Sequence, residues 1–471
     1  MRIPAVLQLT EMEALNNNPI AKKFIVAGLL LLSTGFIFGL TGALQYVLPG
    51  FLKQVFSFER TRPLHVSSIV FWILLCSMGA VFVYLQQHTG KKIFSSRLLQ
   101  IQLGLFVIDI ILILISYCFG VFGGREYWEF NPLLAIPVIA GWILFGYNFI
   151  RSVGNIKNQP VYVWMWITGI VFFLFTFLES YLWIFPYFSR HLVNDMTVQW
   201  KSYGSMVGAW NMLIYGSSIY LMEKISGNKQ YARSKIAFIL YATGLFNLMF
   251  NWGHHIYTLP THHYIQYISY AVSMTELFIL GRIIFQWKST LKAAQKYRHH
   301  MAYRFLWYAD IWIFLNLVLA ILMSVPAVNV YTHGTHITVA HAMGTTIGIN
   351  SFLLLGIACD ILEDTSVSAR LNTRLLKKGQ QLTNVSLFVF WIALIGAGIV
   401  KSKWQMSPIK PAYFELMLQL RPYFMTFFFA GIGITTGFMI IIIPLIRHHF
   451  RCKNLRKEEN DKINQQQATA A

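Results

Sequence analysis

The chain carries twelve apolar runs, each near the ~20 residues a helix needs to cross a hydrocarbon core about 30 Å thick. Their limits are 24–47, 64–86, 98–122, 132–150, 161–185, 196–222, 234–257, 264–287, 303–325, 334–359, 383–402 and 423–446. Backbone in lipid must satisfy its own polar groups, so runs of this length with no barrel-type alternation read as helices. The sequence therefore predicts an all-α, polytopic membrane protein. Its twelve-helix domain spans 24–446, behind an N-terminal segment 1–23 and ahead of a basic, polar tail 447–471 expected to be disordered. The links are mostly about 8–20 residues long, which leaves no room for an inserted soluble domain. The first run is too long for the apolar core of a signal peptide and is expected to be retained.

Charge adds orientation. The chain has 38 Lys and Arg against 18 Asp and Glu. Connections after even-numbered runs hold about 18 of the basic residues and the opposite connections about 9, which places both termini in the cytoplasm. The net charge of +20 is thus mainly a topology signal, and it argues against a nucleic-acid partner. The cysteines, Cys76, Cys118, Cys359 and Cys452, are scattered, and no Cys-x-x-Cys-His motif offers covalent attachment to a c-type haem.

Ionisable groups inside spans are costly and are functional candidates by default. His65 opens run 2 in "RTRPLHVSSIVFW"; His254 and His255 close run 7 in "FNWGHHIYTLP"; His341 lies in run 10 in "THGTHITVAHAMG". Run 6, "DMTVQWKSYGSMVGAWN", is unusually polar. Runs 2 and 10 point inward and run 7 outward, so all four histidines fall in the outer half of the bilayer. His341 is seven residues past the start of its run, ~10 Å deep. Imidazoles from three helices at one depth could surround a shared cofactor cluster. The histidine pair alone is either a metal site or two satisfied core residues.

In this order and spacing, "RPLHVSSIVFW", "GREYWEF", "GHH", "AVSMTE" and "THGTHITVAHAMG" make the chain resemble the large catalytic subunit of the haem–copper oxidase superfamily, above all the cytochrome-c-type nitric oxide reductases. The resemblance implies a low-spin haem b on His65 and a high-spin haem b on His341. It implies a second metal, non-haem iron or copper, on His254 and His255. Arg125 and His333 match contacts to haem propionates, Glu126 a ligand of a bridging calcium, Glu129 an acid tied to proton delivery, and Glu276 a glutamate near the binuclear site.

Two runs depart from that family. Where it carries a second histidine in run 10, this chain has Met343. Residues two apart on a helix face opposite sides, so Met343 is either the second ligand of the low-spin haem or an apolar packing residue. His336 shares its face, two turns away. In run 6, an ungapped alignment puts Tyr203 at a metal-ligating histidine, Val207 at a glutamate and Asn211 at a further acid. Tyr203 could bind as phenolate, donate a hydrogen bond or proton, or fill space. The resemblance implies a bacterial inner-membrane enzyme, fed by a membrane-anchored or other c-type cytochrome, that reduces nitric oxide. Oxygen reduction, nitric oxide dismutation and a non-catalytic haem subunit are the alternatives.

Overall fold

The computed structural model describes residues 18–275, 299–363 and 371–470. Eleven long helices are α1 (Pro19–Val47), α2 (Phe58–Thr89), α3 (Ser96–Cys118), α4 (Ala135–Val153), α5 (Val161–Glu179), α6 (Leu192–Ser226), α7 (Lys235–Phe250), α9 (His300–Ser324), α10 (His336–Leu362), α11 (Thr373–Met406) and α12 (Tyr413–Ala470). Between α7 and α9, helix α8 is described over 263–275. No strand occurs among the described residues; one isolated bridge joins Arg125 and Trp128.

Ten of these helices are long and apolar enough to cross a membrane. The other two predicted spans are α6, which is long enough at 35 residues but too polar, and α8, only part of which is described. The polar run is therefore a full helix whose composition, rather than its length, sets it apart. A helix apolar all round belongs inside a bundle. The most apolar stretches of α2 and α10 are 89% and 83% buried, against 33% for α3 and 17% for α7. The two innermost helices are thus the ones that carry His65 and His341.

Two local features decide how α2 sits. Helix α1 presents Gly35 and Gly39 in "GFIFG", one turn apart, and small residues at this spacing let two helix backbones approach closely. A Cβ on Gly39 would lie 2.6 Å from the His65 ring, so glycine is what admits the imidazole. Side chains of α2 also reach α10: Trp72 Nε1 donates to Ser351 Oγ at 3.3 Å and Tyr84 Oη to Asp360 Oδ2 at 3.1 Å. Both sequence positions increase together, so α2 and α10 run parallel, as expected for two even-numbered spans.

Helix α10 is not uniformly α-helical. From Gly344 to Ser351 it widens into a π-helix, and Ser351 Oγ bonds the carbonyl five residues back, Thr346, at 2.8 Å. Such segments often sit at functional sites. At the other end of the chain, α12 continues through the tail to Ala470, where the sequence predicts disorder. The tail is rich in Lys, Glu, Arg and Gln and lacks Gly and Pro, so nothing in it breaks a helix already started.

Candidate haem and metal site

The α-helical part of α7 ends at Phe250, and the chain tightens into a 3-10 turn over Asn251–Ile256 that holds both histidines. The tighter winding brings the His254 and His255 rings to 4.1 Å between centroids, so the two imidazoles lie side by side. His254 Nδ1 is 3.1 Å from Asn251 Oδ1, which fixes the ring and leaves Nε2 for a metal. Asn329, beyond α9, donates to the His254 carbonyl at 3.1 Å. Trp200 of α6 stacks on His255 at 4.8 Å and 12°, and its ring is 6.4 Å from that of His333.

His341 and His333 complete the cluster. Both are close enough to His254 and His255 to interact with them electrostatically. His341 Nδ1 is buried without a hydrogen-bond partner, an orphaned donor or acceptor of the kind a bound group or water would satisfy. Asn316 of α9 bonds Thr345 Oγ1 at 2.7 Å, and Thr345 bonds the His341 carbonyl at 3.1 Å, which braces this part of α10. His333 lies outside the spans, and burial holds its imidazole below the ordinary range. Its ring N–H can donate a hydrogen bond to a propionate.

His65 is set differently. Its Nδ1 lies 2.7 Å from the Gly35 carbonyl, so that nitrogen carries the proton and Nε2 is left with the lone pair an axial ligand needs. Trp72 meets Ser351 at an offset of 279 positions and Cys76 meets Leu354 at 278. These contacts fix the two helices side by side on the inward side of His65 and Met343. Met343 is partly buried against the main core. His336 packs edge-on against Phe424 of α12 at 5.2 Å. The imidazoles and Met343 fit haem ligation. The second metal is less complete: among the described residues no three His, Cys, Asp or Glu side chains gather as a metal-binding group. Glu276 lies outside the described residues.

The acidic loop between α3 and α4 is held by the arginine that opens "RPLHVSSIVFW", a residue to which the motif assigns no role. Arg62, three residues before His65, donates to Glu126 and, at 3.0 Å, to Glu129. A calcium ion at Glu126 would have to share that carboxylate with a guanidinium. Arg125 instead pairs with Asp195 of α6 and lies over the Trp183 ring at 5.0 Å. The loop closes tightly because the Gly123 and Gly124 N–H groups both donate to the Glu129 carbonyl, at 3.0 and 3.1 Å. A Cβ on Gly124 would lie 1.9 Å from the Trp128 carbonyl oxygen, so only glycine fits. Tyr127 takes a left-handed φ of 70°, and burial pushes its phenol up to about 12, which keeps it protonated. Its ring meets buried Tyr203 edge-on at 5.2 Å. Tyr203 thus contacts the acidic loop, and Trp200 is the α6 side chain against the histidine pair.

Burial raises the Glu129 carboxyl above its ordinary range, and Arg62 opposes that shift. A carboxyl raised in the folded state costs stability as pH climbs from its ordinary pKa through the raised one. Without Arg62 the raised value moves higher still and the window widens. Arg62→Leu is therefore expected to destabilise the detergent-solubilised protein by about 1–2 kcal/mol near pH 8, a figure discounted for partial exposure. The loss should shrink near pH 5, as thermal melts at the two pH values would show. Equal losses at both would mean that the ion pairs do not set this balance.

One further buried acid escapes a search for histidine motifs. Asp109, in the apolar stretch "LFVIDIIL" of α3, is 2% exposed, and neither carboxyl oxygen has a hydrogen-bond partner.

The fold and its inner histidines define a multi-pass membrane protein of the haem–copper terminal oxidase type. A heme-copper terminal oxidase dimer solved by cryo-EM has the same fold, with a TM-score of 0.70 and 16% identity over 92% of this chain and 84% of that one. The chain belongs to the family described as cytochrome c and quinol oxidase polypeptide I, whose model matches residues 19–433. It is 22% identical over 446 residues to a nitric oxide reductase subunit of Stutzerimonas stutzeri, covering 89% of this chain and 92% of the relative. It is 23% identical over 372 residues to the cbb3-type cytochrome c oxidase subunit CcoN1 of the same organism, covering 74% of each.

Proposed function

We propose that this chain is the haem b-bearing catalytic subunit of a bacterial inner-membrane reductase. It takes electrons from a c-type cytochrome and reduces nitric oxide to nitrous oxide. The observation that carries the reading is the side-by-side pair His254 and His255, rings 4.1 Å apart and covered by Trp200, in a bundle whose two innermost helices bear His65 and His341. Similarity to a nitric oxide reductase subunit along nearly its whole length supports the substrate.

When bound, a high-spin haem and a second metal supply the electrons and open coordination positions needed to join two nitric oxide molecules, with two protons, into nitrous oxide and water. The chain's own residues do the rest. His341 holds the haem, while His254 and His255 hold the iron or copper, with Asn251 orienting the first ring. Trp200 covers the His255 face and keeps water from it. Glu129, whose Oε2 is buried without a hydrogen-bond partner, is assigned as the acid that passes protons on, and the Tyr127 and Tyr203 rings meet beside it in the same loop region. Arg125 and His333 are assigned to the propionates from their motifs alone, and Arg125 would have to exchange its pairing with Asp195 for that contact. Glu276 is assigned near the second metal from its motif alone.

A second reading, oxygen reduction or nitric oxide dismutation, draws on one feature. Tyr203 and Val207 stand where a nitric oxide reductase carries a histidine and a carboxylate. Gas analysis with isotopically labelled nitric oxide and reduced cytochrome c separates these. Labelled nitrous oxide alone is the expected product. Dinitrogen with oxygen would mean dismutation, turnover only with oxygen an oxidase, and no turnover in fully haem-loaded protein an electron-transfer module.

His65 and Met343 are assigned to the low-spin haem. Changing Met343 to His is expected to lower that haem's potential and keep a six-coordinate spectrum, because imidazole donates more strongly than thioether. A redox titration in which the potential stays put would remove Met343 from the ligand set.

A further inference from the structure

The π segment of α10 begins just after His341 and Met343, and side chains of α9 lie directly on its backbone. A Cβ on Gly344 would collide with the Asn316 side chain, and one on Gly348 with the Trp312 indole. Asn316 and Trp312 are one turn apart on α9, so glycine at both α10 positions lets one face of α9 reach the segment. The far end is fastened to two other helices: Asn350 Nδ2 donates to Asn211 Oδ1 of α6 at 3.0 Å, and Ser351 Oγ accepts from Trp72 of α2 at 3.3 Å. The near end is held from α9. Asn316, only 1% exposed, donates through Nδ2 to Thr345 Oγ1 at 2.7 Å, and the same hydroxyl donates to the His341 carbonyl at 3.1 Å. A hydroxyl has one proton, so with that proton given to His341, Thr345 can receive from Asn316 but cannot give to it. The line from Asn316 through Thr345 therefore runs in one direction and ends on the backbone of the histidine itself, where the winding changes.

We propose that Asn316 is a positioning residue for His341. Acting through Thr345, it fixes the histidine backbone at the junction of α- and π-winding and so sets how firmly the imidazole binds the iron of the high-spin haem. The inference rests on the reading of His341 as that haem's ligand. Helix packing alone does not ask for these residues: a buried amide is costly unless it is bonded, and a threonine that bonds the carbonyl four residues back tends to bend its helix. Tying α9 to its neighbours is a separate task, met one turn away by Trp312, whose indole donates to Asn384 of α11 at 3.0 Å. Asn316 is spent instead on the end of the segment that carries the ligand.

The test is resonance Raman spectroscopy on the purified full-length protein, haem-replete and reduced, reading the iron–histidine stretching band with the low-spin haem as internal reference. Thr345→Val removes the hydroxyl at constant shape. It should move the band to lower frequency and cut turnover about tenfold, the size of an outer-shell contact. Thr345→Ser keeps the hydroxyl and should leave the band where the wild type has it. Asn316→Leu should move the band in the same direction as Thr345→Val, and the double variant should move it no further than Thr345→Val alone, because the two residues act in series. Trp312→Phe removes a buried bond from the same face of α9 and should leave the band in place. If Asn316→Leu does not fold, Asn316→Asp, which keeps the shape and loses the amide donor, takes its place. An unmoved band in Thr345→Val or in the Asn316 variant, an equal shift in Trp312→Phe, or additive shifts in the double variant would overturn the proposal. A wild type with no iron–histidine band at all would overturn the ligand reading of His341, and the proposal with it.

Discussion

His255→Ala should yield protein that keeps its haem but loses the second metal and at least a hundredfold of its turnover. The two imidazoles are the donors proposed for that metal, and their rings lie 4.1 Å apart. With one gone, a single nitrogen remains, and a one-imidazole site does not retain iron or copper through purification. His254→Ala should behave alike. Residues that merely position these rings should cost less: Trp200→Ala or Asn329→Ala is expected to lower metal affinity about 10–100-fold, in the range of outer-shell partners. Elemental analysis alongside the haem spectrum reads both effects at once. A His255→Ala protein with full metal and ordinary turnover would remove the pair from the site.

The second large effect lies on a helix with no ligand of its own. Gly39→Val should displace His65, because even a single Cβ there would come within 2.6 Å of the ring. The imidazole is held by its bond to the Gly35 carbonyl, one turn away, so it cannot move aside and keep that contact. The low-spin haem signal should fall severalfold and turnover with it, while the high-spin haem on α10 stays. Gly104→Val, where a Cβ would meet nothing within 4 Å, is the control and should leave both haems unchanged. An intact low-spin spectrum in Gly39→Val would mean that α1 does not set the His65 position.

The apolar spans, and the histidines inside them, are legible in the sequence because each rests on local pattern: run length, apolarity, a histidine inside a run. What escapes depends on contacts between distant segments. Arg62 pairs with acids 64 and 67 residues away, and nothing near "RTRPLH" marks the partner. The motif assigns Arg125 to a propionate, whereas its pairing with Asp195 crosses to another helix. Trp200 reads as one more interfacial aromatic until the fold brings it onto His255. The π segment is hidden because the residues of "GTTIGINS" suit α- and π-winding alike. Asp109 does leave a signal, a lone acid in an apolar run, although no histidine motif points to it. The α12 tail shows the opposite case, in which good helix formers outweigh polarity.

If imidazoles from separate helices hold iron at one level of the bundle, the purified, cofactor-replete protein must carry that iron in a fixed ratio. Haem and metal stoichiometry is the decisive measurement. Two b haems and one further iron or copper per chain are expected. A colourless preparation, or one haem with no second metal, would contradict this assignment.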